Sequence, residues 1–303
     1  MYTRKAERVR RLAAALVAAI VLILAGCANM ESPSDTTGEP SGFFSILGSN
    51  TVTPLSSMWA EEFMAANPKV NIAISGPGSG AGIAALIDST TDICQSSRPI
   101  KATEIEQAQA KGVNPFEIVV ASDGLAVVVN PANPVSELTI AQLSAIYTGK
   151  VTNWSEVGGN DAPILALARD TNSGTHVFFK EHVVQMAELP TKDTTLEYSA
   201  DVLLLPSTEA GVTETAKNPN AIFYPGLGYV TDEVKVVGVK KTDFDPAVTP
   251  SIETVLDGTY PVARSLYYYT NGEPTGVVKA FIDYCLSDAG QTIVVESGYV
   301  PLR

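Results

Sequence analysis

The stretch VNIAISGPGSGAGIAALID, residues 70–88, decides how the chain is read. Val70, Ile72 and Ile74 alternate with polar or small residues, the period of a strand with one buried face. Residues 75–83 then hold four glycines and two serines, and the apolar GIAALID that continues from them reads as a helix. Strand, glycine-rich turn and helix make one βα unit. The start of a helix after such a turn offers an anion unpaired N–H groups and the positive end of a dipole.

The same unit recurs on both sides. Upstream, FFSILG reads as a strand and TPLSSMWAEEFMAA as a helix, with Pro54 in its first turn and Leu55, Met58, Trp59 and Phe63 on one face. Downstream come strand TDICQ, helix ATEIEQAQAKG, strand PFEIVVA and the nearly all-apolar GLAVVVN, a strand buried on both sides. From Leu138 the pattern restarts with helix TIAQLSAIYTG, strand PILALA, helix GTHVFFKEHVV and strand VKVVGV. SLYYYT and PTGVVKAFIDYCLS close the chain as strand and helix. Repeated βα units imply an α/β fold of mainly parallel sheets flanked by helices. We expect two lobes, residues 43–122 plus 260–303 and residues 123–259, joined by hinge strands near Ser122–Gly124 and Tyr260–Pro261.

The N-terminus bears on location. Arg4, Lys5, Arg8, Arg10 and Arg11 precede thirteen apolar residues, Leu12 to Leu24, too few to span a bilayer and about the length of a signal segment. The run ends in LAGC, where small residues precede the thiol of Cys27, and this resembles a prokaryotic lipoprotein signal. Residues 1–26 are expected to be a signal peptide, and a lipid on Cys27 would hold the protein to the outer side of the cell membrane. Residues 27–42, rich in Ser, Thr, Pro and Gly, read as a tether. An uncleaved anchor helix would lead to the same compartment.

The net charge is −13, and removal of the basic leader would make it more negative, which argues against a nucleic-acid partner. A small anion is not excluded, because a buried cradle works through local hydrogen bonds while solvent screens distant charge. Beyond Cys27 the cysteines are Cys94 and Cys285, which form one disulfide or remain two buried thiols. No residues have zinc-ligand spacing, and His176 and His182 read as helix-surface residues. Neither a metal nor a cofactor is expected.

Four turns place glycine or hydroxyl residues where a strand gives way to a helix: GSNT (48–51), GPGSG (76–80), SSR (96–98) and RDTNSGT (169–175). Two carry an arginine, whose planar fork of donors suits a tetrahedral oxyanion. Each turn alone could be an ordinary N-cap. Residues 76–81 fit G-x-G-x-x-A, yet no G-K-[ST] is present and an exported protein meets little free dinucleotide. Pro77 breaks the nucleophile-elbow pattern around Ser79, and a histidine directly after Thr175 makes no triad.

GSNTVTPLSSMW, GPGSGAGI, TDICQSSRPI, GLAVVVNPANPV, LTIAQLSAIYTGKVTNWSEVGG, RDTNSGTHVFF and SGYVPL occur in the order of, and together resemble, the phosphate-binding proteins of ATP-driven phosphate importers. The resemblance covers nearly the whole folded chain. It implies a two-lobed periplasmic-binding-protein-like fold of type II that closes on one inorganic phosphate and hands it to a membrane permease, as a monomer and without catalysis. The implied ligand residues are Asn50, Thr51, Ser79, Ser97 and Arg98 from one lobe, and Arg169, Ser173, Gly174 and Thr175 from the other.

The chain departs from the family twice. Many members carry threonine where Asn50 stands, and some carry an aspartate where Ser97 stands. That carboxylate accepts the proton that phosphate has and sulfate lacks, so here Asp170 or a serine oxygen is left for the role. Asp92 reads as structural. Two alternatives stay open: a binder of sulfate, molybdate or tungstate, and an extracytoplasmic enzyme acting on phosphate esters.

Overall fold

The computed structural model describes residues 39–302. The expected signal peptide, Cys27 and the tether as far as residue 38 lie outside the described residues. From Pro40 onward the chain forms one compact unit. Strand β1 (Gly42–Gly48) leads into helix α1 (Thr53–Ala66), β2 (Val70–Ser75) into α2 (Ser79–Ile87), and β3 (Ile93–Ser96) into α3 (Ala102–Ala110). The long β4 (Pro115–Gly124) then carries the chain toward a second sheet. That sheet holds β5 (Val127–Val129), β6 (Glu137–Thr139), β7 (Leu165–Arg169), β8 (Leu203–Leu205), β9 (Ala221–Phe223) and β10 (Lys235–Lys240). Among them lie α4 (Ile140–Tyr147), α5 (Gly174–Phe179) and α6 (Thr208–Lys217). After α7 (Ile252–Leu256) the chain returns in β11 (Ala263–Asn271), and α8 (Gly276–Leu286) and α9 (Asp288–Glu296) follow.

The first sheet has the order β2-β1-β3-β11-β4 and the second β6-β10-β5-β9-β7-β8. Both are mixed rather than mainly parallel. The βα units pair in parallel, as in β1 with β2 and β3, or β7 with β8 and β9. The strands around the crossings do not: β11 runs antiparallel to β3 and β4, and β5 antiparallel to β9 and β10. A chain that leaves a sheet at one end and re-enters it at that same end must run the other way, and Ala263 accordingly sits opposite Gly124.

Each half has its own core. Phe44, Ile46, Leu55, Trp59, Phe63, Tyr268 and Phe281 pack in the first, and Leu143, Tyr147, Trp154, Phe179 and Tyr224 in the second. Along α1 the buried stripe is Leu55, Trp59 and Phe63; Met58 falls outside it, 38% exposed, with its sulfur against Ser297 Oγ. Cys94 and Cys285 are free and buried, and burial pushes both thiols up, away from the reactive thiolate. Among the described residues no helix is long and apolar enough to cross a membrane.

Candidate functional site

The four turns follow the C-terminal ends of β1, β2, β3 and β7, the side of an α/β sheet where ligands are held. They meet between the two halves. Ser79, at the first position of α2, places its Oγ 3.3 Å from Ser97 Oγ and accepts the Ser97 N–H at 3.1 Å. Gly174 packs directly on this pair: a Cβ there would collide with Ser79 Oγ and Ser97 Oγ. Thr51 Oγ1 lies 2.9 Å from Thr175 Oγ1 across the same space. The halves also touch through their main chains, Gly80 N–H donating to Asn172 O at 3.0 Å. Gly78 (φ +124°) allows this approach, since a Cβ would stand 2.7 Å from the Asn172 carbonyl.

Ser173 caps α5 by accepting the His176 N–H, and α5 continues as a π-helical turn, Lys180–Val184. Thr51, Ser79, Ser97, Ser173 and Thr175 are all buried. So many hydroxyls, each able to donate or accept, make a polar centre that an apolar core would exclude.

Arg169 is 1% exposed and its guanidinium is surrounded by acceptors. Nη1 donates to Thr208 Oγ1 at 2.7 Å and Asn50 Oδ1 at 3.0 Å, and Nη2 to Pro206 O at 3.0 Å. Two longer contacts, both 3.4 Å, join Nε to Leu205 O and Nη2 to Asp170 Oδ2. Arg98 behaves otherwise. Its Nη1 and Nη2 form a fork on Glu104 at 2.8 and 2.7 Å, and Nη1 also reaches Pro99 O, so its charge is committed to the start of α3. Burial alone would raise the Glu104 carboxyl, but Arg98 and the Lys101 N–H hold it below the usual carboxylate range. Arg98 Nε is buried without a hydrogen-bond partner among the described residues.

A second layer fixes how the turns face. Four of their carbonyls are each taken by a buried or half-buried side chain. Tyr229 OH donates to Asn50 O at 2.7 Å, Tyr299 OH to Thr51 O at 2.5 Å, and Arg264 Nη1 to Ser97 O at 3.1 Å. His176 Nδ1 lies 2.7 Å from Arg169 O, and since a carbonyl only accepts, Nδ1 carries the proton. Carbonyls tied back in this way are kept off an anion they would repel. Arg264 is itself held by Asp123, which accepts from Nη2 at 2.8 Å, Nε at 3.1 Å and the Leu227 N–H at 3.0 Å. Burial pushes the Asp123 carboxyl up, and these donors oppose that rise.

The sequence matches the PBP superfamily domain over residues 32–289. The phosphate-binding protein PstS of Bacillus subtilis is 34% identical over 295 residues, which is 95% of this chain and 92% of that protein. The PstS of Pseudomonas aeruginosa is 33% identical over 279 residues, 86% of this chain and 84% of that one. The chain belongs to the PstS family of the PBP superfamily. Among solved structures, a phosphate ABC transporter substrate-binding protein from Clostridium perfringens with bound phosphate matches with a TM-score of 0.77 at 35% identity. That match covers 86% of this chain and 100% of the other. An ABC-type phosphate transport receptor from Vibrio cholerae matches with a TM-score of 0.67 at 30% identity.

Of the positions that the PstS resemblance marks, Asn50, Thr51, Ser79, Ser97, Arg169, Ser173, Gly174 and Thr175 lie together between the halves. The guanidinium of Arg98 instead turns to Glu104. His176 is no surface residue: it is 8% exposed, its ring 4.5 Å from that of Tyr198. His182 lies half-buried on Phe178. Sequence reasoning passed over Tyr229, Tyr299, Thr208 and the Asp123–Arg264 pair. For the pair a signal existed, a charge near the end of each of two mostly apolar or aromatic strands, β4 and β11.

Proposed function

We propose that this chain captures inorganic phosphate between its two halves and delivers it to the permease of an ABC importer. The reading takes residues 43–122 and 260–303 as one lobe and 123–259 as the other. It assigns the ligand contacts to Asn50, Thr51, Ser79, Ser97, Ser173, Gly174 and Thr175, with Arg169 as the buried cation. The observation that carries it is the meeting of hydroxyls from both halves, Thr51 and Thr175 2.9 Å apart beside the Ser79–Ser97 pair, while the neighbouring carbonyls are tied back. A small oxyanion is the ligand such a set serves.

Hydrogen bonds to a charged group contribute about 1.5–3 kcal/mol each. A handful therefore reaches the roughly −8 kcal/mol of micromolar binding after ordering costs. At Arg169 the two 3.4 Å contacts are the ones an anion oxygen would replace. The neighbouring Arg98 contributes to Glu104 and α3 rather than to the anion. Binding without turnover is the reading the relatives support, since those of Bacillus subtilis and Pseudomonas aeruginosa are named as phosphate-binding proteins. Export, anchoring through lipidated Cys27 and action as a monomer complete the proposal.

One observation favours a broader oxyanion range. Ser97 stands where some relatives have a carboxylate, and the nearest acid on Arg169 is Asp170, whose side chain is 32% exposed. Phosphate-over-sulfate preference would then rest on a hydroxyl oxygen accepting the phosphate proton. Calorimetry on protein stripped of bound ligand, with phosphate, sulfate and molybdate compared, tests both points. Heat with phosphate is expected; none with phosphate overturns the proposal, and equal affinity for sulfate assigns the broader range.

A further inference from the structure

One residue of the cleft bonds the opposite half through both its side chain and its main chain. Asn50 belongs to the loop between β1 and α1, on the first-sheet side. Its Oδ1 accepts from Arg169 Nη1 at 3.0 Å and from the Thr208 N–H at 3.1 Å, while its carbonyl accepts from Tyr229 OH at 2.7 Å. All three donors belong to the second-sheet side. The Thr208 N–H can only donate, so the oxygen of the carboxamide must be the end that faces it. Nδ2 then occupies the other limb of the planar amide, with two N–H groups that meet no acceptor among the described residues.

The contacts are of the kind that cost free energy when broken. Thr208 is the first residue of α6, and the first N–H groups of a helix have no acceptor within it. Arg169 Nη1 has two acceptors, Thr208 Oγ1 from its own half and Asn50 Oδ1 from the other. Separating the halves takes one acceptor from a buried guanidinium and the side-chain acceptor from the Thr208 N–H. Closing restores both at once.

We propose that Asn50 is a positioning residue that couples anion capture to closure of the two halves. The oxygen end of its carboxamide clasps Arg169 and α6, and the nitrogen end donates to the anion. An uncharged amide is suited to this pair of roles, because it accepts on one side and only donates on the other. A threonine at this position, with one hydroxyl on a shorter side chain, could not span both. The inference rests on the phosphate reading above for its nitrogen end, whereas the clasp can be measured without any anion.

The test compares purified wild type with Asn50→Ala and Asn50→Asp. It follows exchange of the Thr208 amide by NMR, and binding and release of radiolabelled phosphate. Asn50→Ala is expected to speed Thr208 exchange and to weaken phosphate about tenfold or more, mainly through faster release. Asn50→Asp keeps the accepting oxygen, so the Thr208 amide stays protected, but it sets a negative oxygen against the anion and costs about a hundredfold or more in affinity. A Thr208 amide indifferent to Asn50→Ala overturns the clasp, and an Asn50→Asp protein that binds phosphate as tightly as wild type overturns the donor role. If wild type itself binds no phosphate, the functional reading fails together with the donor role, and Thr208 exchange still decides the clasp.

Discussion

Two turns of this protein look alike in sequence and behave differently in the fold. Ser96–Arg98 and Arg169–Thr175 each place an arginine at or just past the end of a strand, in a turn that also holds serine, ahead of a helix. Arg98 finds Glu104 six residues on, in the first turn of its own next helix, and the fork closes on that carboxylate. Arg169 has only the 3.4 Å contact to Asp170, and its stronger partners are neutral oxygens at 3.0 Å or less, one supplied from across the cleft. A nearby acid that can pair bidentately captures the guanidinium; where none is placed to do so, the charge remains available to the cleft. A third arginine, Arg264, shows the extreme, with a fully buried carboxylate and a carbonyl of the site in its fork.

The largest effect should come from this third pair. Arg264→Met leaves Asp123 charged and unpaired in the interior, and unfolding free energy should fall by about 3–5 kcal/mol in urea titration. A loss under about 1 kcal/mol would mean that the pair is solvated and does not anchor Ser97. Next, Arg169→Ala should weaken phosphate at least about tenfold, or about 1.4 kcal/mol, by calorimetry. Unchanged affinity would place the anion elsewhere. Arg98→Ala is the counter-test and should alter affinity by less than about threefold, because its donors already serve Glu104. Equal losses at the two arginines would erase the contrast between the turns.

The smallest effect concerns pH. Burial holds the His176 ring below its ordinary value of 6.5, so the folded protein keeps it neutral. As pH falls through about 6.5 the unfolded chain gains a proton that the folded chain refuses, and stability declines until the folded ring titrates in turn. His176→Gln should therefore lose less in Tm between about pH 7 and about pH 5 than wild type does. An identical drop would show that His182, which burial also lowers, carries the dependence.

Much of this was legible in the chain because it is local. Apolar alternation placed β1, β2 and the buried face of α1, and a glycine between strand and helix marked the start of α2. The short strands β6, β8 and β9, three residues each, carry too little pattern to be read. Hinge strands were expected near Ser122–Gly124 and Tyr260–Pro261, but the antiparallel register of β4 on β11 was not legible, because Gly124 and Ala263 are far apart in the chain and no local period records how such strands pair.

The sequence by itself determined the α/β class, the four polar turns and their residue types, since backbone propensity and side-chain chemistry act over a few residues. Only the tertiary structure decided which turns meet, which arginine serves them, and that Tyr229, Tyr299, Arg264 and His176 hold four carbonyls aside. Those outcomes depend on where a long side chain finds its strongest acceptor in space, and that acceptor can lie more than a hundred residues away, as Asn50 does from Arg169.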